Sequence, residues 1–169
     1  MSESTATIER SIGERLAGKY LTFRLAEEEY GLEILKVQEI IRMQAVTRVP
    51  RTPDYVRGVI NLRGKVIPVV ELRKKFSFAP SEDTDKTCII VVQISSSDVS
   101  IVMGIIIDEV REVLDIAADN IEETPSFGAS INTDFILGMG KMNGNVKILL
   151  DIDKVLSIKE FNEIQNISK

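Results

Sequence analysis

The chain resembles itself. Gly31 followed by Val37-Gln38-Glu39-Ile40-Ile41 recurs as Gly104 followed by Val110-Arg111-Glu112-Val113-Leu114, each position displaced by 73 residues. Gly58, Gly64-Lys65-Val66 and Glu71-Leu72 recur as Gly138, Gly144-Asn145-Val146 and Asp151-Ile152, now displaced by 80. A seven-residue insertion between Asn120 and Phe135 accounts for the change, and Pro50 and Pro125 mark equivalent loops. Two copies of roughly 65–70 residues are too few and too long for a solenoid, so a pair of small similar domains is expected. Repeat 1 then covers about 19–76, a linker about 77–86 and repeat 2 about 87–152.

Each copy reads mainly as strands. In Tyr20-Leu21-Thr22-Phe23-Arg24-Leu25, alternation places Leu21, Phe23 and Leu25 inward and Thr22 and Arg24 outward. Val66 to Leu72 is rich in β-branched residues, with Pro68 expected at an edge or a bulge. Ile89 to Ile94, Ser100 to Ile107 and Val146 to Leu150 are apolar runs bounded by turn residues. Arg63-Gly64 and Asn143-Gly144 close two hairpins, because a type I′ turn needs positive φ at both central positions. Ile34, Val37, Ile40 and Ile41 fit a helical stripe as well as a strand. Asp151 or Asp153 is placed to cap a C-terminal helix over about 153–169, carrying Val155, Leu156, Ile158, Phe161 and Ile164. Short strands with tight turns point to small barrels, one per repeat.

A chain of 169 residues buries roughly 70% of its unfolded surface, so it needs no staple. A single cysteine, Cys88, excludes an intramolecular disulfide and reads as a strand thiol in a reducing compartment. Residues 1–18 are polar and carry both charge signs, which reads as a flexible segment and not as a signal or transit peptide. No apolar run approaches the ~20 residues of a membrane span, so a cytoplasmic location is expected. Of 21 Lys+Arg, 12 lie between Lys19 and Lys75 against 7 of the 26 Asp+Glu, so the halves are oppositely biased. Such polarity orients a molecule on partners. The basic residues are dispersed and Trp is absent, which argues against nucleic acid.

Catalytic chemistry is hard to place. Without histidine there is no imidazole base, ligand or triad member. Gly138-Met139-Gly140-Lys141-Met142-Asn143-Gly144 has the wrong spacing for a phosphate loop and leads into a strand. Asp108, Glu109, Glu112 and Asp115 interleave with Val110, Val113 and Leu114, as a half-solvated face does. No catalytic, cofactor-binding or metal-binding residue is assigned. An enzyme using this acidic cluster and a small-molecule sensor binding between barrels stay open as competing readings.

Glu29-Tyr30-Gly31-Leu32-Glu33-Ile34-Leu35-Lys36-Val37-Gln38-Glu39-Ile40 resembles the opening of CheW-type chemotaxis coupling proteins. So do Thr47-Arg48-Val49-Pro50, Arg57-Gly58-Val59-Ile60-Asn61-Leu62-Arg63-Gly64 and Ile67-Pro68-Val69-Val70-Glu71-Leu72-Arg73. The similarity runs from about Lys19 to Ile158. The resemblance implies a mainly β fold of two SH3-like, five-stranded β-barrels, with strands from the chain ends crossing between halves. It also implies a non-enzymatic adaptor without cofactors, recruited to membrane receptor arrays. Its implied partners are the regulatory domain of the histidine kinase CheA and the cytoplasmic tip of methyl-accepting chemotaxis proteins. A module of a related pathway or of a larger kinase is the neighbouring alternative. Positions matching Val37, Glu39, Gly58 and Arg63 are implied to bind receptor or kinase. The copies differ where only one has a partner: Asn143 suits a turn, whereas Arg63 supplies a long cation, leaving Gly64, Asn143 and Gly144 as turn residues. The plainer alternative is that Arg63 only pairs with a carboxylate such as Glu39.

Overall fold

The repeat boundaries and the sheets do not coincide. The structure, a computed structural model, describes residues 11–96, 98–128 and 133–155. The first copy contributes strands β1 (Gly18–Leu25), β2 (Glu28–Glu33), β3 (Val37–Arg42), β4 (Val56–Leu62) and β5 (Lys65–Glu71). The second contributes β6 (Cys88–Ser96), β7 (Val99–Ile107), β8 (Glu109–Ile116), β9 (Ile121–Glu122), β10 (Ile136–Met142) and β11 (Asn145–Leu150). One sheet runs β3-β6-β7-β5-β4 and the other β8-β1-β2-β11-β10-β9. Each copy therefore lends its first two strands to the other. The residue pattern's one barrel per repeat is corrected to a reciprocal exchange, the crossing of strands that the resemblance implied, and the second sheet has six strands where five were expected.

Antiparallel pairings of β1 with β8 and β3 with β6 join the copies, and two parallel pairings complete the exchange: Leu149↔Gly31 and Val69↔Gly104. Gly31 and Gly104 are the glycines that announced the repeat, and close packing explains both. A Cβ on Gly31 would come 3.0 Å from a Leu149 methyl, and one on Gly104 would come 2.7 Å from an Ile89 methyl. The bulges are duplicated too. Register shifts at Val37/Glu39 opposite β6 and at Thr22/Phe23 opposite Val110 and Glu112 occupy matching places, as do those at Val56/Gly58 and Ile136/Gly138.

Three cores follow from this weave. A central one joins both sheets through Leu21, Phe23, Leu25, Leu32, Val70, Ile90, Val92, Ile105 and Leu150. Each barrel keeps its own: Ile60, Ile67, Val69, Ile89, Val91 and Ile106 in one, Tyr20, Ile116, Ile121 and Leu149 in the other. β1 is thus buried on both faces, and Thr22 is not outward as alternation predicts. Fully buried, it fills the bulge, its Oγ1 donating to the Glu112 carbonyl at 2.8 Å and accepting the Glu112 amide at 3.2 Å. Pro68 is tolerated because the parallel ladder to β7 begins only at Val69. The ambiguous stripe resolves into a 3₁₀ turn, Ile34–Lys36, followed by β3. Cys88 opens β6 half-buried, where burial pushes its thiol pKa up.

Inside the segment expected to be flexible, Ser11 caps a short helix α1 (Ile12–Leu16), its Oγ accepting the Glu14 amide at 3.1 Å. Residues 1–10 lie outside the described residues. After β5, α2 (Leu72–Lys75) leads into the linker, which Arg57 pins through both Asp83 carboxylate oxygens at 3.1 Å. The expected C-terminal helix begins as α3 (Ile152–Val155), where the Asp151 carbonyl accepts the Lys154 and Val155 amides. Asp153 instead reaches out to Lys36 Nζ and the Ser95 amide, both at 2.8 Å. Leu156, Ile158, Phe161 and Ile164 lie outside the described residues.

Asp108 is not part of a solvated face. Between β7 and β8 it accepts Arg73 Nε and Nη2 at 2.8–3.0 Å and the Ala26 amide at 2.8 Å, with Arg24 at 3.6 Å. Burial alone would raise its carboxyl pKa, but these donors outweigh it and hold it below the ordinary value. Such a carboxylate contributes stability that is complete above its unfolded pKa and lost as pH falls through its lower folded value. Asp108→Asn should lower unfolding stability at pH 7 by about 2 kcal/mol. The gap from wild type should close below pH ~4, as urea denaturation over a pH series would show.

Candidate partner-binding surface

The hairpin tips differ in chemistry on one backbone. Arg63-Gly64 has φ of 51° and 88°, and Asn143-Gly144 has 53° and 79°, so both are type I′ turns. No atom lies within 4 Å of where a Cβ would stand on Gly64 or Gly144, so conformation and not space calls for glycine there. Asn143 tolerates the left-handed region readily, whereas Arg63 enters it against its preference. In the first hairpin the Gly64 amide also donates to Asn61 Oδ1 at 2.8 Å.

What Arg63 gains is a carboxylate. Its Nη1 donates to Glu39 Oε1 at 3.0 Å and its Nη2 to Glu39 Oε2, a two-pronged contact between the tip of β4–β5 and strand β3. These strands are the two edges of one sheet, so the pair spans the opening between them, as an exposed ion pair that adds little to stability. Further along, the chain that follows β3 lies against β4, where Thr47 and Val59 exchange hydrogen bonds of 2.8 and 2.9 Å. The hydrogen bond from Arg63, with its charge, holds the Glu39 carboxyl below the ordinary range. Arg63 stays 69% exposed in its side chain against 29% for Glu39, so the cation faces solvent and the carboxylate lies beneath it. A guanidinium has five N–H donors, and this pair engages two of them.

The four candidate residues separate in space. Glu39 and Arg63 touch. Val37, two residues upstream on the bulge, is half-buried against the central core. Gly58 is buried in β4 with φ of 149°, and a Cβ there would come 2.0 Å from the Thr47 carbonyl oxygen. Its glycine is required by the barrel closure itself. Leu35 was missed: it is 95% exposed, the most solvent-facing large apolar side chain among the described residues, beside Val37 on the 3₁₀ turn. Its counterpart in the second copy is Asp108, so comparing the copies position by position would have singled it out. Val66, 68% exposed just past the Arg63 turn, adds a second apolar site.

Arg63–Glu39 offers charge for recognition but no proton-transfer chemistry, because both groups are held in their ionised forms. Among the described residues no group of three or more His, Cys, Asp or Glu is placed to hold a metal, and no helix is long and apolar enough to cross a membrane.

Known proteins with this fold and sequence share a biology. A family model described as the CheW-like domain matches residues 19–160. The chain is 38% identical to the chemotaxis protein CheW of Klebsiella aerogenes over 164 residues, covering 97% of this chain and 96% of that protein. It is 32% identical to the CheW of Treponema pallidum, covering 87% and 86% respectively. The crystal structure of the scaffolding protein TtCheW from Thermoanaerobacter tengcongensis superposes with a TM-score of 0.74 at 34% identity, over 86% of this chain and 96% of that one. On both sequence and fold, the chain belongs to the CheW-like domain family.

Proposed function

We propose that this protein is a non-catalytic scaffold of bacterial chemotaxis. In this reading it couples the cytoplasmic helical tip of methyl-accepting chemotaxis receptors to the regulatory domain of the histidine kinase CheA. End-to-end similarity to chemotaxis scaffolds supports it. So does the architecture: two woven barrels make one body with distinct faces, which is what an adaptor holding two partners in fixed relation requires.

The Arg63–Glu39 pair carries the reading to residues. The second copy keeps the turn with Asn143 and needs no cation, so the first copy's arginine is more than the fold demands. Glu39 aims the guanidinium, while the donors beyond the pair and the neighbouring Val66 supply polar and apolar contact to a partner. Arginine beside apolar surface is a frequent composition of binding hot spots. In this reading Val37 anchors the bulge beside Glu39, and Gly58 acts by keeping β4 against Thr47.

Binding and stability should separate. Arg63→Glu should weaken association with the kinase regulatory domain or the receptor tip about thirtyfold or more, with little change in Tm. Asn143→Ala should do the reverse, lowering stability by about 1 kcal/mol with near-normal binding. Unchanged affinity of Arg63→Glu for both partners, titrated at matched salt, would overturn the assignment. Gly58→Ala should destabilise by about 3 kcal/mol, roughly 6–12 °C in Tm, so any binding it loses follows from the fold. Wild type and the kinase regulatory domain should associate at micromolar concentration in low salt, burying roughly 1,200–2,000 Å². Failure of both partners to bind would remove the scaffold reading.

A further inference from the structure

The two barrels end differently where the lent strands begin. Lys19 of β1 pairs with Asp115 of β8, and Cys88 of β6 pairs with Arg42 of β3, so these positions correspond between the copies. Three residues before Lys19 stands Leu16, and three before Cys88 stands Asp85. Leu16 plugs the second barrel, packing on the core of Tyr20, Ile116, Ile121 and Leu149. Its carbonyl accepts the Tyr20 hydroxyl at 2.7 Å. The helix α1 sits so close that a Cβ on Gly13 would come 2.1 Å from the Ala118 carbonyl oxygen.

The first barrel has no such plug. Asp85 cannot serve as leucine does against apolar side chains, and Ile89, in the place of Tyr20, has no hydroxyl to tether a carbonyl. A pocket of ≈ 450 Å³ opens there instead, between Ile41 and Met43, which pack on the barrel's own core, and the end of the linker. Pockets for small molecules span roughly 300–1,000 Å³.

Charge differs as well. In the second barrel Lys19 meets Asp115 at 3.6 Å. In the first, Arg42 faces the neutral Cys88 and makes no ion pair among the described residues. Arg42 and Lys86 outnumber the pocket's one carboxylate, Asp85. Thr84 Oγ1 accepts the Lys86 amide at 3.1 Å and Thr87 Oγ1 accepts the Thr84 amide at 2.8 Å. The two hydroxyls lie 3.5 Å apart, so one proton bridges them and the other is left to donate to a ligand. Apolar walls, an unpaired guanidinium and a donor hydroxyl are the complement of an amphiphilic anion.

We propose that the open end of the first barrel binds a small amphiphilic carboxylate. Its alkyl or aryl group takes the place that Leu16 holds in the second barrel, and its carboxylate meets Arg42. The site needs no partner protein, so it stands or falls independently of the scaffold role.

Cys88 lines the pocket and is the chain's one cysteine, so its alkylation by iodoacetamide reports occupancy. Octanoate is titrated into the full chain, with octan-1-ol and octylammonium as neutral and cationic probes of the same tail, and calorimetry gives the stoichiometry. Arg42→Glu and Asp85→Leu are made in parallel, the second placing a leucine where the other barrel has one, and melting confirms that each is folded. Octanoate should bind once per chain and slow Cys88 alkylation about fivefold or more near saturation. The other two probes should bind about tenfold more weakly or worse, as should octanoate to Arg42→Glu, and Asp85→Leu should not bind it. No octanoate binding by wild type up to about 10 mM would overturn the proposal. Equal affinity for all three probes, or unchanged affinity of Arg42→Glu, would reduce the pocket to apolar adsorption and overturn it too. Protection of Cys88 by the kinase regulatory domain or the receptor tip, with none by octanoate, would give the pocket to a protein and likewise overturn it.

Discussion

The exchange of strands between copies is the constraint on which the structure depends, and its two parallel pairings, β2 with β11 and β5 with β7, are flanked by the antiparallel pairings of β1 with β8 and β3 with β6. They join strands of different copies, so neither sheet exists without both halves of the chain. Parallel neighbours cannot be reached by a tight turn, and here the long connections are supplied by the exchange itself. Glycine at the crossing, Gly31 in one and Gly104 in the other, lets the facing side chains of Leu149 and Ile89 occupy the space a Cβ would take. The consequence is a shared core between two sheets instead of two independent ones.

That weave makes the protein a stiff object. Three polar groups taken into it are satisfied in place: Thr22 within its bulge, Asp108 by Arg73 and the Ala26 amide, Lys147 by Glu29. The ties at equivalent ends have opposite polarity. Arg73 of α2 reaches Asp108, whereas Asp153, its counterpart in α3, reaches Lys36. Arg73 and Asp153 thus place opposite charges at one matching site, while their partners do not correspond, the counterpart of Asp108 being Leu35 and that of Lys36 being Glu109. The same reversal gives the two barrels different faces.

Differences between the copies mark what the shared backbone does not demand. Backbone demands are equal at the two hairpin tips, so Asn143 against Arg63 isolates what the turn does not explain. Comparing Leu35 with Asp108 works the same way: one position is apolar and exposed, the other ionised and enclosed. Gly58 teaches the opposite lesson. Its counterpart Gly138 sits at the same bulge, with a Cβ position 3.0 Å from the Glu122 carbonyl, so the pair of glycines marks a closure shared by both barrels.

The sequence alone determined the duplication, the mainly β class, both I′ turns and the family, because these rest on local backbone preference and on motifs in order. It also pointed to Glu39 and Arg63, the two residues that meet. Its residue pattern did not determine that copies exchange strands, which the family resemblance alone implied, since a strand's pattern records how much of it is buried and not which neighbour buries it. For that reason Thr22 looked outward by alternation, until β8 supplied the bulge it fills. Asp108 looked solvated because its partners Arg73 and Arg24 are distant along the chain and adjacent only after folding. Periodicity over 34–41 was equally good for helix and strand, and pairing with β6 decided it. Local chemistry wrote the elements; which elements share a core was settled by long-range contact, where burial and steric fit act together.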